Sequence, residues 1–310
     1  MVTTLITHPD CLEHQTPDGH PERAARLQSV LTALDAPDFS RLIRRQADLA
    51  TIDDLARVHD RAYVEQVLSR IPMSGVFNFD PDTSVSPGSR NAILRAAGAL
   101  VQATTIVMCG DSDNVFCAVR PPGHHALANR AMGFCLFNNV AVGAASARAA
   151  HALNRVAVVD FDAHHGNGTE AMFLSDPGMF YASTHQYPLF PGTGSVGQTR
   201  PANIVDLPLP PGAGGTEFRR AFSETLLPAL DRFNPQLIFI SAGFDAHKDD
   251  PIADLQLVED DYFWATEAIC EVARRRCFGR VISTLEGGYD LNALARSSSA
   301  HVRALLASRS

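Results

Sequence analysis

Four short runs rich in Val, Ile and Phe each lead into a tight group of metal-binding or proton-transferring side chains, and nothing else in the chain constrains the fold as strongly. The runs are residues 114–119, 156–161, 237–240 and 281–285; the groups lie at 120–125, 160–165, 241–245 and 286–289. Apolar runs this short and this β-branched read as buried parallel strands rather than helices. In open α/β sheets ligands bind just beyond the carboxyl ends of the strands, so the four groups are expected to converge on one crevice.

The segments between the runs fit that reading. Residues 89–107 and 140–152 are Ala-rich and helical in pattern, and 218–233 has the spacing of an amphipathic helix leading into the strand at 237. Alternating strands and helices imply βαβ units and a mostly parallel sheet. Residues 71–88 carry Pro72, Gly75, Pro81, Pro87 and Gly88 and no clear periodicity, so they are expected to form a long loop on the rim of the crevice. With no repeat, linker or low-complexity tract, the 310 residues are expected to form a single domain, 1–310, with one large core.

Composition excludes several classes. A net charge of −8 disfavours direct nucleic-acid binding and mildly favours cationic ligands. No apolar stretch of membrane-spanning length is free of charged or multiple polar residues, and residues 1–10 lack the basic and apolar regions of a secretory leader, so no membrane association and a cytoplasmic location are expected. The six cysteines include no Cys-x-x-Cys pair and read as reduced, mostly buried thiols. Lys248 is the sole lysine and sits in a polar run that would not lower its pKa, which argues against Schiff-base chemistry.

The strongest chemical signal is Val-Asp-Phe-Asp-Ala-His-His-Gly at 159–166. On an extended strand Asp160, Asp162 and His164 would share one face. An Asp-x-His pair at a strand end, with Asp245 from Ser-Ala-Gly-Phe-Asp as third ligand, has the donor set of a catalytic zinc site that keeps positions open for water and substrate. A single Asp at a strand-to-helix turn would more simply be a cap, but the combination outweighs that reading. Arg-Pro-Pro-Gly-His-His at 120–125 holds His124 and His125 on a rigid turn, where imidazoles suit proton transfer near neutral pH. Tyr289, after Glu286-Gly-Gly, is placed to donate to a developing oxyanion.

Taken together and in order, these motifs, with Gly-Phe-Cys-Leu-Phe-Asn-Asn (133–139), Phe-Pro-Gly-Thr-Gly (190–194) and His-Pro-Glu-Arg (20–23), resemble the zinc-dependent histone deacetylase family, specifically its class II branch and the bacterial histone deacetylase-like amidohydrolases. The resemblance covers nearly the whole chain. It implies a three-layer α/β/α fold of the arginase/deacetylase type, with a central, mostly parallel sheet of about eight strands. It makes Asp162, His164 and Asp245 the zinc ligands, His124 and His125 the proton-transfer pair, and Tyr289 the carbonyl-polarising donor. Asp160 would orient His124, and Asn167 would be the partner of His125. Gly133, Phe134 and Phe190 would wall a narrow acyl-chain channel, and Asp82 would grip the substrate backbone. A structural potassium ion would involve Asp160 and Ser183 beside backbone carbonyls. Ile252 occupies a rim position where a polyamine-selective enzyme would be expected to carry an acid.

Arginase shares the implied fold but uses two manganese ions. Gly166 and His247 stand where the second metal would need carboxylates, so one metal is expected. Two other strings are decoys. Gly192-Thr-Gly-Ser-Val-Gly197 matches a dinucleotide fingerprint but runs into Pro201 rather than a helix. Asn167-Gly-Thr is a formal glycosylation sequon within the expected active-site turn. The expectation is therefore a zinc amidohydrolase acting on acetyl-lysine or a small acylated amine, with acetylpolyamine hydrolysis as one alternative and an inactive acyl-lysine-binding module as another. The sequence leaves a homo-oligomeric assembly open.

Overall fold

All four apolar runs are strands, side by side in one sheet. The computed structural model describes residues 2–195 and 200–307. In chain order the strands are β1 (Thr3–Thr7), β2 (Ile43–Gln46), β3 (Phe77–Asn78), β4 (Ser84–Val85), β5 (Asn114–Cys117), β6 (Val156–Asp160), β7 (Met179–Gln186), β8 (Ile204–Leu209), β9 (Leu237–Ala242) and β10 (Val281–Leu285). Eight of them form a sheet in the order β2-β1-β5-β10-β9-β6-β7-β8, and every neighbouring pair is parallel. The four strands whose ends carry the reactive groups are the adjacent central four, and every residue in them is buried. That double-sided burial is why they read as unbroken apolar runs.

Helices cover the sheet in two groups. Ser89–Cys109 packs against Asn139–His151, while Ala24–Leu34, Leu291–Ala307 and Glu259–Cys277 pack against one another in series. Ser89–Cys109 is long and apolar enough to cross a membrane, but Ala96, Ala99, Leu100, Ala103, Ile106 and Val107 on it belong to the main core. A second apolar cluster, including Leu55, Tyr63, Val67, Ile93, Leu136 and Phe137, underlies the segment between β5 and Asn139–His151. It supports the loops that carry His124, His125 and Phe134.

Two segments depart from the sequence reading. The helix expected over 218–233 is three pieces, Gly215–Ala221, a π-helical turn at Phe222–Leu226 and Leu227–Phe233. Pro228 lacks an N–H and its ring crowds the preceding turn, a sufficient cause for the local widening. The long loop 71–88 contains the two-residue antiparallel hairpin β3–β4. Residues 187–195 form no helix; Gly197 and the two residues after it, on which the expectation that no helix follows the 192–197 string rests, lie outside the described residues.

Candidate active site

Strand register sets the site's floor. Asp160 lies opposite Ser241 on β9 and Ser183 on β7, and Ala242 lies opposite Leu285 on β10, so the chain segments following β6, β9 and β10 leave the sheet at nearly one level. Extended geometry ends at Asp160, two residues before Asp162. Beyond it the backbone turns its amides to carboxylates. Asp162 N donates to Asp160 Oδ1 (3.1 Å), Ala163 N to Asp245 Oδ1 (2.8 Å) and His164 N to Asp162 Oδ1 (2.8 Å). Strand alternation thus holds only up to Asp160, and these turns, not the pleat, bring Asp162 and His164 together.

The chemistry of the donor set fits a single cation. Donor atoms of Asp162, His164 and Asp245 lie within 4.8 Å of one another. His164 Nδ1 stands 3.1 Å from Asp162 Oδ1 and 2.9 Å from Asp245 Oδ2. Ligands on a tetrahedral zinc with bonds of about 2.0 Å would be roughly 3.3 Å apart, so the spacing suits zinc. Asp162 and Asp245 are 1% and 0% exposed, and burial together with the Asp162 charge pushes the Asp245 carboxyl up. Such a pair needs a positive charge between its members. There is no room for the carboxylate that a second metal would need at position 166. A Cβ on Gly166 would meet Asp160 Oδ2 at 2.3 Å, and His247 reaches towards Asp249 and Glu259 instead.

The adjacent histidines differ in their partners. His124 Nδ1 donates to Asp160 Oδ2 at 2.9 Å, and His125 Nδ1 donates to Asn167 Oδ1 at 2.9 Å. Burial alone would favour neutral His124, but the Asp160 and Asp162 carboxylates outweigh it and raise its pKa to about 10. His125 faces no such carboxylate partner; burial and the His124 charge push it well below its ordinary value. With its proton on Nδ1, His125 keeps a free lone pair on Nε2.

A pocket of about 180 Å³ opens beside this group, lined by Asp82, His125, Gly133, Phe134, His164, Phe190, Ile252 and Tyr289. Every substrate-contacting position expected from the sequence is in that set. A Cβ on Gly133 would lie 2.6 Å from the His125 ring and 2.9 Å from Phe190, so only glycine fits between them. Phe134 has φ +69°, a left-handed conformation costly for a bulky residue, with its N–H donated to Thr83 Oγ1 (3.1 Å). Tyr289 is buried, its phenol pKa pushed well up by desolvation, and its ring lies 5.9 Å from that of Phe134. Ser183 is buried, and its hydroxyl is 2.9 Å from His185 Nδ1.

Several residues that hold this site were not singled out from the sequence. Glu22 forms a fork with Arg120 and also pairs with Arg26 at 3.0 Å, all three fully buried. Arg26 donates to the carbonyls of Glu286 and Gly288 and lies 4.7 Å over the Tyr289 ring. Glu286 accepts the amides of Gly123 (2.7 Å) and His124 (3.2 Å), fixing the histidine turn, and Asp250 accepts that of Tyr289 (2.7 Å). Their signals in the sequence were the strings that contain them, His-Pro-Glu-Arg at 20–23 for Glu22, Arg-Pro-Pro-Gly-His-His at 120–125 for Arg120 and Glu-Gly-Gly-Tyr at 286–289 for Glu286, without a role for any of the three. A second acid–histidine group among the described residues, His165, Glu170 and Asp206, is bridged by Arg200, which pairs with both acids. With His165 protonated, its charges balance as an ion-pair network.

Comparison with known proteins points to one family. A family model described as "Histone deacetylase domain" matches residues 20–305. The chain is 38% identical to a histone deacetylase-like amidohydrolase of Pseudomonas aeruginosa, covering 87% of this chain and 73% of that protein. It is 37% identical to histone deacetylase 14, chloroplastic, of Arabidopsis thaliana, over 93% of this chain and 73% of that one. Among solved structures, an HDA15 HD domain superposes with a TM-score of 0.93 at 32% identity, covering 98% of this chain and 88% of the other.

Proposed function

The chain belongs to the histone deacetylase family, and on that premise we propose that it is a zinc-dependent amidohydrolase removing an acetyl group from acetyl-lysine or a similar acylated amine. The observation that carries this reading is a narrow pocket lined by His125, His164 and Tyr289, with Asp162 and Asp245 grouped around His164 and the two adjacent histidines held by unlike partners. Asp162, His164 and Asp245 would hold the zinc. Zinc bound there supplies a Lewis acid for the amide carbonyl and brings the pKa of water from 15.7 towards about 7.

His125 takes the proton of the attacking water at Nε2 and returns it to the leaving amine. His124, kept protonated by Asp160, stabilises the negative charge that develops in the transition state. Tyr289 keeps its phenolic proton because it is buried, and donates it in a hydrogen bond to the developing oxyanion. A module that only bound acyl-lysine would need neither histidine. Phe134, Phe190 and Gly133 close around an unbranched acyl-amine chain, and Asp82 at the mouth accepts a substrate N–H or faces its positive charge. Ile252 presents hydrocarbon at the rim, which favours acyl-lysine over a polyamine whose distal ammonium would want an acid there. Asp160 and Ser183, fully buried and opposite each other on neighbouring strands, are assigned to a structural potassium ion together with backbone carbonyls.

Residues 1–310 are assigned as one catalytic domain. A cytoplasmic setting is assigned with it, in keeping with six cysteines of which five are buried. The test is a screen of zinc-loaded protein against acetyl-lysine peptides, acetylated polyamines and small acetamides. Release of acetate from the peptides is expected. Acetylpolyamine turnover far above that of the peptides would reassign the substrate, and hydrolysis of a guanidinium compound without amide hydrolysis would reject the reading.

A further inference from the structure

We propose that Asp250 is a positioning residue for the reaction, its carboxylate clamping the Tyr289 loop to the Ile252 loop and so fixing the phenol over the reacting carbonyl. The inference rests on the reading of Tyr289 as oxyanion donor. Asp250 lies on the segment after β9 and is buried at 7% exposure. One oxygen, Oδ2, accepts the amides of Tyr289 (2.7 Å) and Asp290 (3.3 Å). The other, Oδ1, accepts the amide of Ile252 (3.1 Å). A single side chain therefore ties together backbone from two loops that line the same pocket.

Tyr289 needs such a hold. It follows Gly287-Gly288, with Gly288 at φ +119°, and precedes the helix Leu291–Ala307, so no ladder of regular structure fixes its backbone. Arg26 grips the carbonyls of Glu286 and Gly288 on the upstream side, and Asp250 grips the amides of Tyr289 and Asp290 on the downstream side. The phenol hangs between the two holds. Burial, with the Asp245 charge, pushes the Asp250 pKa up to about 7 even though the three amide hydrogen bonds act to lower it, so those bonds recover only part of the cost of burying the carboxylate. A neutral amide cannot replace it. In Asp250→Asn one oxygen can still accept, but the NH2 group then faces an N–H, and one arm of the clamp becomes donor against donor.

A displacement of about 1 Å at a reacting group can cost about 10²-fold in rate, which sets the scale. The experiment is a double-mutant cycle on zinc-loaded protein with a short acetyl-lysine substrate, comparing wild type, Asp250→Asn, Tyr289→Phe and the double variant, with zinc content and thermal midpoint measured for each. Asp250→Asn is expected to lower kcat by about 10- to 10²-fold with KM and zinc nearly unchanged. In the Tyr289→Phe background the same change is expected to lower kcat less than about twofold, because residues acting as one unit are non-additive. Asp250→Ser is run in parallel in case the Asn variant does not fold. Equal losses in both backgrounds, loss of zinc, or failure of both variants to fold would assign Asp250 to the scaffold and overturn the proposal. An inactive wild type would instead reject the amidohydrolase reading, and a fully active Tyr289→Phe would reject the role given to Tyr289.

Discussion

Replacing Asn167 by Asp changes little but charge, and the charge lands on the proposed general base. Asn167 Oδ1 already accepts the His125 Nδ1 hydrogen bond at 2.9 Å, and the two side chains are nearly isosteric. A carboxylate whose charge centre lies about 4 Å from the imidazolium would stabilise it by about 4 kcal/mol at an effective dielectric of 20, equivalent to about 3 pKa units. Asn167 is half-buried, so desolvation of the new carboxylate takes back part of this, and a rise in the His125 pKa of about 1–3 is expected. The sign follows from the role. His125 accepts a proton only when neutral, and burial with the His124 charge holds its pKa low, so the native enzyme stays active as pH falls. Raising that pKa moves the acid limb of kcat/KM to higher pH. At a fixed pH on that limb, activity falls about tenfold for every pH unit by which the limb moves. The assay is kcat/KM against pH for both proteins, with zinc content checked at each pH. An acid limb that stays in place, or moves down, would refute His125 as the base.

Tyr289→Phe should lower turnover by about 10² to 10³ with zinc and fold retained, the usual effect of removing one oxyanion donor; near-normal turnover would make Tyr289 a packing residue. His125→Ala should be clearly more damaging than His124→Ala in single-turnover hydrolysis, and the reverse order would exchange their roles. Glu22→Gln, which removes the negative charge between the buried Arg26 and Arg120 and turns one acceptor oxygen into an NH2 donor, should cost about 3–5 kcal/mol in denaturant unfolding. The Arg120 and Arg26 charges hold Glu22 near pKa 2, against an ordinary 4.5, despite burial. Its contribution should therefore be complete above about pH 4.5 and fade as pH falls towards 2, and a pH-independent loss would contradict this.

Local pattern carried much of the fold. The strand at 281–285 has the expected bounds, because a fully buried strand leaves an uninterrupted apolar signature in its own sequence. The π-turn at Phe222–Leu226 was not legible, since apolar spacing over five residues does not separate a period of 3.6 from a wider one. The convergence of Asp162, His164, Asp245 and the histidine pair was legible because these residues are concentrated in short motifs at strand ends. The roles of Asp250, Glu286 and Arg26 were not, because their partners include backbone groups of distant loops, and a carboxylate that accepts two amides looks in sequence like any other acid. Asp162 and His164 do lie together, but the strand alternation from which this was expected stops at Asp160. The carboxylate-directed turns that replace it depend on Asp245, 82 residues from Ala163, whose amide it accepts.

The most direct test of the central claim is metal content measured alongside acetyl-lysine hydrolysis, for the wild type and for Asp245→Ala. One zinc per chain with amide hydrolysis in the wild type, and loss of both in Asp245→Ala, is the expected result. Two manganese ions per chain in the active wild type, or full zinc occupancy in Asp245→Ala, would contradict the single-metal site formed by Asp162, His164 and Asp245.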